Sequence, residues 1–206
     1  MSSEVNIPCS FALRKSFSNS DPEAEFGDEG DHGVTWADLD NDGLPDLVLE
    51  QSAYLESHAW IFHQKPDHTF EDVTPLSSEE AEMRNSNGLT VDDYNRDGRL
   101  DILMGSVAAN GVNPPGGKEQ IHLFENRVSN GNHWLHVTLH GTTANRQGIG
   151  AKVYATAGCL TQMRELSGGK GTFGAADPAF AHFGLGTQTV VGELKMLWNT
   201  NGAMSY

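Results

Sequence analysis

Short apolar runs alternate with acidic, glycine-containing loops through the first half of the chain. Leu47-Val48-Leu49 and Ile102-Leu103-Met104 are unbroken apolar runs of the kind found in strands buried on both faces. Each follows a polar loop, and each loop follows a shorter strand-like stretch. Set side by side, Gly33 to Leu49 aligns without a gap on Gly88 to Met104. Later strands are predicted in both copies, over Ala59 to Phe62 in the first and Gln120 to Glu125 in the second. Between the copies, Thr69 to Val73 reads as a strand handing over to the next unit. A repeat built from short strands suggests propeller blades or a similar array, because such units cannot bury their faces alone. Helical signal is confined to Ser77 to Met83, opened by Ser77 or Ser78 with Glu79 and Glu80 in the first turn.

From about Asn132 the texture changes. His133 to Leu139 alternates with period two, and after the turn Gly148-Ile149-Gly150 a second alternating strand runs from Ala151 to Thr156. Gln162 to Leu166, Ala181 to Leu185 and Val191 to Trp198 supply further strands. The organisation predicted is an irregular lead segment over 1–30, two blade-like repeats over 31–128, and a small β-sandwich-like domain over 132–206. The turn-rich Ser129-Asn130-Gly131 is the linker. The fold class is mainly β.

With 206 residues, 37% of them hydrophobic, the chain can bury real cores. Its 28 acidic against 13 basic residues, a formal net charge of -15, argue against a nucleic-acid partner held through phosphates. No apolar run is long enough to span a bilayer as a helix, and the first 25 residues lack a signal-peptide apolar block. Cys9 and Cys159 define no disulfide framework.

The charge becomes informative in the two loops. Asp38, Asp40, Asp42 and Asp46 stand at positions one, three, five and nine of the first, with Gly43 at six; Asp93, Asn95, Asp97, Asp101 and Gly98 repeat the arrangement. A glycine at six permits the sharp turn that brings alternate side chains onto one centre. Hard oxygen donors on a flexible loop suit calcium better than zinc, which prefers His and Cys, or magnesium, which keeps its waters. By analogy with other calcium loops, the backbone carbonyls of Leu44 and Arg99 at position seven complete the expected set. Carboxylates about 5 Å apart repel by roughly 3 kcal/mol per pair at an effective dielectric near 20, so convergence without a cation is costly. Asp, Asn and Gly also make ordinary solvated turns, but two gap-free copies on matching strands favour the metal. The expected role is structural, clamping the loop between two strands.

These loops, with Gly33, Gly88 and the apolar strands that flank them, resemble FG-GAP (VCBS-type) repeats, the blades of integrin-like β-propellers. The second half is similar to the ASPIC/UnbV domain through Asn132 to Val137, Asn145 to Val153, Arg164 to Gly169, Asp177-Pro178, His182 to Gly186 and Leu194 to Trp198. The combination resembles the cartilage acidic protein (CRTAC1-like) family. That resemblance implies secreted or cell-surface proteins, calcium in the blades, no established catalytic activity, and an adhesion or interaction role with a protein or polysaccharide ligand. Two units fall short of the 4 to 8 blades of a closed propeller, so the chain is expected to be part of a longer one, its last domain truncated. Lys170 to Ala176 departs from the polar stretch expected before Asp177-Pro178.

Other signals are weaker. Gly168 to Thr172 is no phosphate loop, since Gly171 separates Lys170 from Thr172. His136 and His140, four apart on one predicted strand, form a partly exposed pair rather than a zinc site. Trp36, Trp60, Trp134 and Trp198 fall on predicted strands, where core packing is the default. No Ser/His/Asp or Cys/His constellation is legible, so no enzyme is expected. The rival function is a polysaccharide-binding or polysaccharide-active protein, which would need an acidic and aromatic cleft away from the loops.

Overall fold

A computed structural model describes residues 31–51, 59–74, 86–106, 120–142, 145–169, 178–200 and 203–205; the segment Ser77 to Met83 lies outside them. Among the described residues every regular element is a strand. The first copy of the repeat is a four-stranded antiparallel meander of β1 (Asp31–Ala37), β2 (Asp46–Gln51), β3 (Trp60–Gln64) and β4 (Phe70–Asp72). The second is a three-stranded meander of β5 (Ser86–Asp92), β6 (Asp101–Ser106) and β7 (Gln120–Phe124). The register shifts where each copy begins, between Asp31 and Gly33 and again between Ser86 and Leu89, so the two sheets share a bulge as well as a sequence.

Strand periodicity determines how the two sheets meet. Thr35, Val48 and Ile61 lie across from one another on one face of the first sheet; Val91 and Ile102 are paired on one face of the second. Those faces join in one core of Ala37, Val48, Leu89, Val91, Leu100 and Ile102, with Ile61 and Phe124 packed against it. Each fully buried aliphatic side chain there contributes about 1.5–3 kcal/mol. The apolar runs are less uniformly buried than their composition suggests. Val48 and Met104 are sealed, but Leu103 projects from the opposite face and is exposed with Ile121 and Leu123.

The second half contains β8 (His133–Val137), β9 (Lys152–Ala157), β10 (Leu160–Glu165), β11 (Ala181–Gly186), β12 (Glu193–Thr200) and β13 (Ala203–Ser205). One sheet runs in the order β10-β9-β12-β13, and β11 pairs with β8 in a second. Val137, Leu139, Ala151, Val153, Ala155, Leu166, Ala181 and Phe183 fill the core of this half. Alternation along β8 and β11 gives their pair two unlike faces. Leu135, Val137, Ala181 and Phe183 face that core, while Trp134, His136, His182 and Gly184 share the other face.

Two sequence expectations change here. The strand carrying His136 ends at Val137, so His140 is not part of a same-face pair on it; His136 is instead matched across the sheet with His182. Of the tryptophans, Trp36 and Trp134 are substantially exposed, whereas Trp198 packs against the second core.

Candidate metal centre

The first acidic loop joins β1 to β2 and the second joins β5 to β6. In both, glycine at position six takes a left-handed backbone, with φ of 95° at Gly43 and 86° at Gly98. The residue at position four does the same, Asn41 in one copy and Arg96 in the other. The chain therefore curls alike twice, and alternate side chains turn inward.

In the first loop, amides hold the carboxylates in place. Gly43 N donates to Asp38 Oδ2 at 2.9 Å, Asp42 N to Asp40 Oδ1 at 3.1 Å, and Leu44 N to Asp42 Oδ1 at 2.7 Å. Asp46 takes Leu39 N on Oδ2, while Gln64 N at 2.9 Å and His63 Nδ1 at 3.0 Å both reach Oδ1. Ligand atoms of Asp38, Asp40 and Asp42 lie within 4.8 Å of one another, as do those of Asp40, Asp46 and His63, so Asp40 is common to both groups.

Asp38 is only 2% exposed, and its Oδ1 has no hydrogen-bond partner. Burial pushes its carboxyl up to about 7, with Asp42 and Asp40 adding to the rise; Arg164 and the Gly43 amide oppose it. Burial also raises Asp42 and Asp46 above the usual carboxylate range. An unpartnered oxygen on a buried acid, among further carboxylates, is what a hard cation relieves. The first loop therefore fits calcium, with Asp38, Asp40, Asp42 and Asp46 as its carboxylates. His63 is engaged with Asp46 and orients it.

The second loop is satisfied differently. Asp93 accepts Asp97 N and Gly98 N, and Asp101 accepts Asn126 N at 2.7 Å and Tyr94 N at 3.3 Å. Asp97 takes Arg99 N on Oδ1; its Oδ2 takes Asn95 Nδ2 at 2.9 Å and a close ion pair from the Arg99 guanidinium. All six carboxylate oxygens have donors from the chain, as do both of Asp46, but here one of those donors is itself a cation, Arg99 on Asp97, and no buried oxygen is left without a partner as at Asp38; on that ground this loop fits an added cation poorly. Leu44 and Arg99 enter these networks through their amides, and Arg99 through its side chain as well.

Both loops lie under the polar face of the β8–β11 pair. Asn41 Nδ2 donates to Gly98 O at 2.9 Å, which turns its Oδ1 toward His182 Nε2, 2.7 Å away. Because Asn41 Oδ1 can only accept, His182 Nε2 carries the proton; neutral His182 then accepts at Nδ1 from His136 Nε2 at 2.6 Å. His136 Nδ1 stands 3.9 Å from Asp93 Oδ2. Hydrogen bonds thus run from the first loop through His182 to His136, and His136 stands beside Asp93 of the second loop. Burial drives His182 down to about 3, helped by His136 and Arg164, and lowers His136 against the pull of Asp93 and Asp92.

Bare backbone makes this approach possible. A Cβ at Gly184 would fall 2.0 Å from Asp38 Oδ2 and 2.6 Å from Asn41 backbone atoms. One at Gly43 would strike Leu160, and one at Gly98 would enter the Trp134 ring. Gln162 Nε2, donating to Gly184 O at 2.6 Å, and Asn126 Nδ2, donating to Leu39 O and Leu100 O, fasten the edges. Asn41, His63, Asn126, His136, Gln162, His182 and Gly184 are the residues that a reading of the loops by themselves leaves out. The sequence signal for several was the alternation of histidine with apolar residues along β8 and β11.

A search of curated proteins returns no match to the chain. A family model described as ASPIC and UnbV does match, over residues 141–205, so this stretch of the chain is similar to that domain.

Proposed function

We propose that this chain is a calcium-stabilised β-repeat protein of the FG-GAP/VCBS type, joined to its ASPIC/UnbV domain and working as an extracellular adhesion or interaction module rather than an enzyme. The observation that carries the reading is Asp38: a buried acid with one unpartnered oxygen, grouped with Asp40 and Asp42. Calcium there neutralises a cluster that otherwise opposes folding, and it braces the turn between β1 and β2. The two antiparallel meanders stacked face to face agree with a pair of propeller blades. Family resemblance supports a secreted or cell-surface location and a protein or polysaccharide partner. A polysaccharide-active role would be favoured by an aromatic and acidic cleft apart from the loops. The cavity of about 100 Å³ that sets Trp36 and Phe180 beside Asp38 and Arg164 instead adjoins the first loop itself.

The test is calorimetric calcium titration of chelator-stripped protein, with a melting curve at each end. Binding together with a higher melting temperature supports the reading. Failure to bind up to several millimolar calcium, the weak end for extracellular modules, overturns it in a protein whose circular dichroism is that of a folded β chain.

A further inference from the structure

We infer that the second loop is closed by a cation belonging to the chain, the Arg99 guanidinium, so that the protein takes up one calcium ion and not two. The inference rests on the proposed calcium site in the first loop for its count, but its argument comes from the second loop alone.

The two loops differ at two of their matched positions in ways that act together. Position three is Asp40 in one and Asn95 in the other; position seven is Leu44 in one and Arg99 in the other. Across these two positions the second loop has one carboxylate fewer and one fixed positive charge more, and Arg96, where the first loop has Asn41, adds another. Arg99 pairs with Asp97 Oδ2, and its Nε donates to Asn126 O at 2.8 Å, which anchors the side chain at both sides of the guanidinium. Asn126 also holds Asp101 Oδ1 through its amide. Two acids that would otherwise close around an ion, Asp97 and Asp101, are therefore tied into one clasp running through Arg99 and Asn126. Asn95 adds its Nδ2 to the same Asp97 oxygen, so the amide that replaces an acid here is turned as a donor toward the loop.

Calcium takes 6 to 8 oxygen ligands. To enter the second loop it would have to break a charge-assisted pair, turn Asn95 over, and sit beside a guanidinium that is never deprotonated. In the first loop it meets Asp38 Oδ1, already unpartnered. The structural demand is the same in both copies, namely to hold converging acids between two strands. The chain meets it with an outside ion in one copy and with arginine in the other.

Calorimetric stoichiometry with calcium chloride on the whole chain tests this. Wild type and Arg99→Lys, which keeps a positive charge, bind one ion. Arg99→Leu, which installs the residue of the first loop, binds two, and Arg99→Gln serves as a second opening variant should the leucine fail to fold. In Asp42→Ala, which removes an acid of the first loop, Arg99→Leu restores a single site where the parent has none. Two ions bound by wild type, or no second ion in either folded opening variant, overturns the inference. No ion in wild type but one in Arg99→Leu would sink the calcium reading of the first loop and leave the arginine clasp standing. No ion in either would sink both.

Discussion

Asn41 Oδ1 accepts a 2.7 Å hydrogen bond from His182 Nε2, joining residues 141 positions apart and fixing the first acidic loop to β11, within the stretch that the ASPIC and UnbV model matches. The same side chain reaches Gly98 O in the other loop, so one amide spans three parts of the fold. Asn41→Gly keeps the left-handed backbone but strands the His182 donor and the Gly98 carbonyl. Each buried group left unpaired costs about 1–3 kcal/mol. Differential scanning calorimetry should record a drop of several degrees, at roughly 2–4 °C per kcal/mol for a chain of this size. A melting point equal to wild type would mean the bond contributes nothing.

Gly184→Ala places a methyl against Asp38 Oδ2, the end of a short and buried side chain, and against the Asn41 backbone, which cannot swing away. Overpacking of this kind costs about 1–3 kcal/mol. Calcium affinity should fall with it, because Asp38 is displaced. Gly192→Ala, where the nearest atom is 3.7 Å from the added carbon, is the control and should change neither property.

Asp38 sets a pH dependence whose sign differs with and without the ion. In chelator its folded carboxyl titrates near 7 against 3.8 when unfolded, so the folded state holds the extra proton between those values. Its contribution to stability is then present at low pH and is lost as pH rises from 3.8 to 7, by up to about 1.4 kcal/mol per pH unit. Calcium requires the carboxylate, so apparent affinity should climb by up to about tenfold per pH unit over the upper part of that range and level off above 7. Asp38→Asn should be more stable than wild type in chelator at pH 8 and should gain nothing from calcium. The opposite order in chelator would remove the cause assigned to Asp38.

His182 acts in the other direction. Its pKa is about 3 folded and 6.5 unfolded, so between those values the unfolded chain binds the proton. The stability contributed by neutral His182 is complete above 6.5 and is lost as pH falls toward 3. His182→Gln should flatten that acid limb in urea titrations run from pH 7 to 4. An unchanged acid limb would assign it to other groups.

Asp42→Ala should abolish the calcium-dependent part of the melting temperature. At calcium a hundredfold above Kd that part is about 2.7 kcal/mol. In chelator the variant should melt at or above wild type, because a carboxyl raised by burial has been removed. Equal losses in calcium and in chelator would count against a metal role.

Periodicity and turn chemistry made the strands and both loops readable in advance, because each depends on residues a few positions apart. Gly43 and Gly98 at position six, and Asp46 and Asp101 opening the strands that follow, needed no knowledge of the rest of the fold. What covers the loops was not readable in that way. His182, which meets Asn41, lies on β11; Trp134 and His136, which stand beside Gly98 and Asp93, lie on β8; and no local pattern links positions so distant. The pairing expected between His136 and His140 failed because the strand stops at Val137, where a two-residue period ceases to apply. Position seven is defined by its backbone carbonyl in other calcium loops, so the sequence points to the carbonyl of Arg99; it is the side chain, paired with Asp97, that differs between the copies.

The contact of Gly184 with Asp38 and Asn41 also bears on how such a chain can be shuffled. Residues 129–131 look like a natural junction at which a gene could exchange one set of repeats for another. Yet the second half carries a mould shaped to one particular loop: a missing methyl at 184, a histidine at 182, a glutamine at 162. Grafted onto foreign repeats it would arrive with the mould and without the cast, so these two halves should be inherited as a pair.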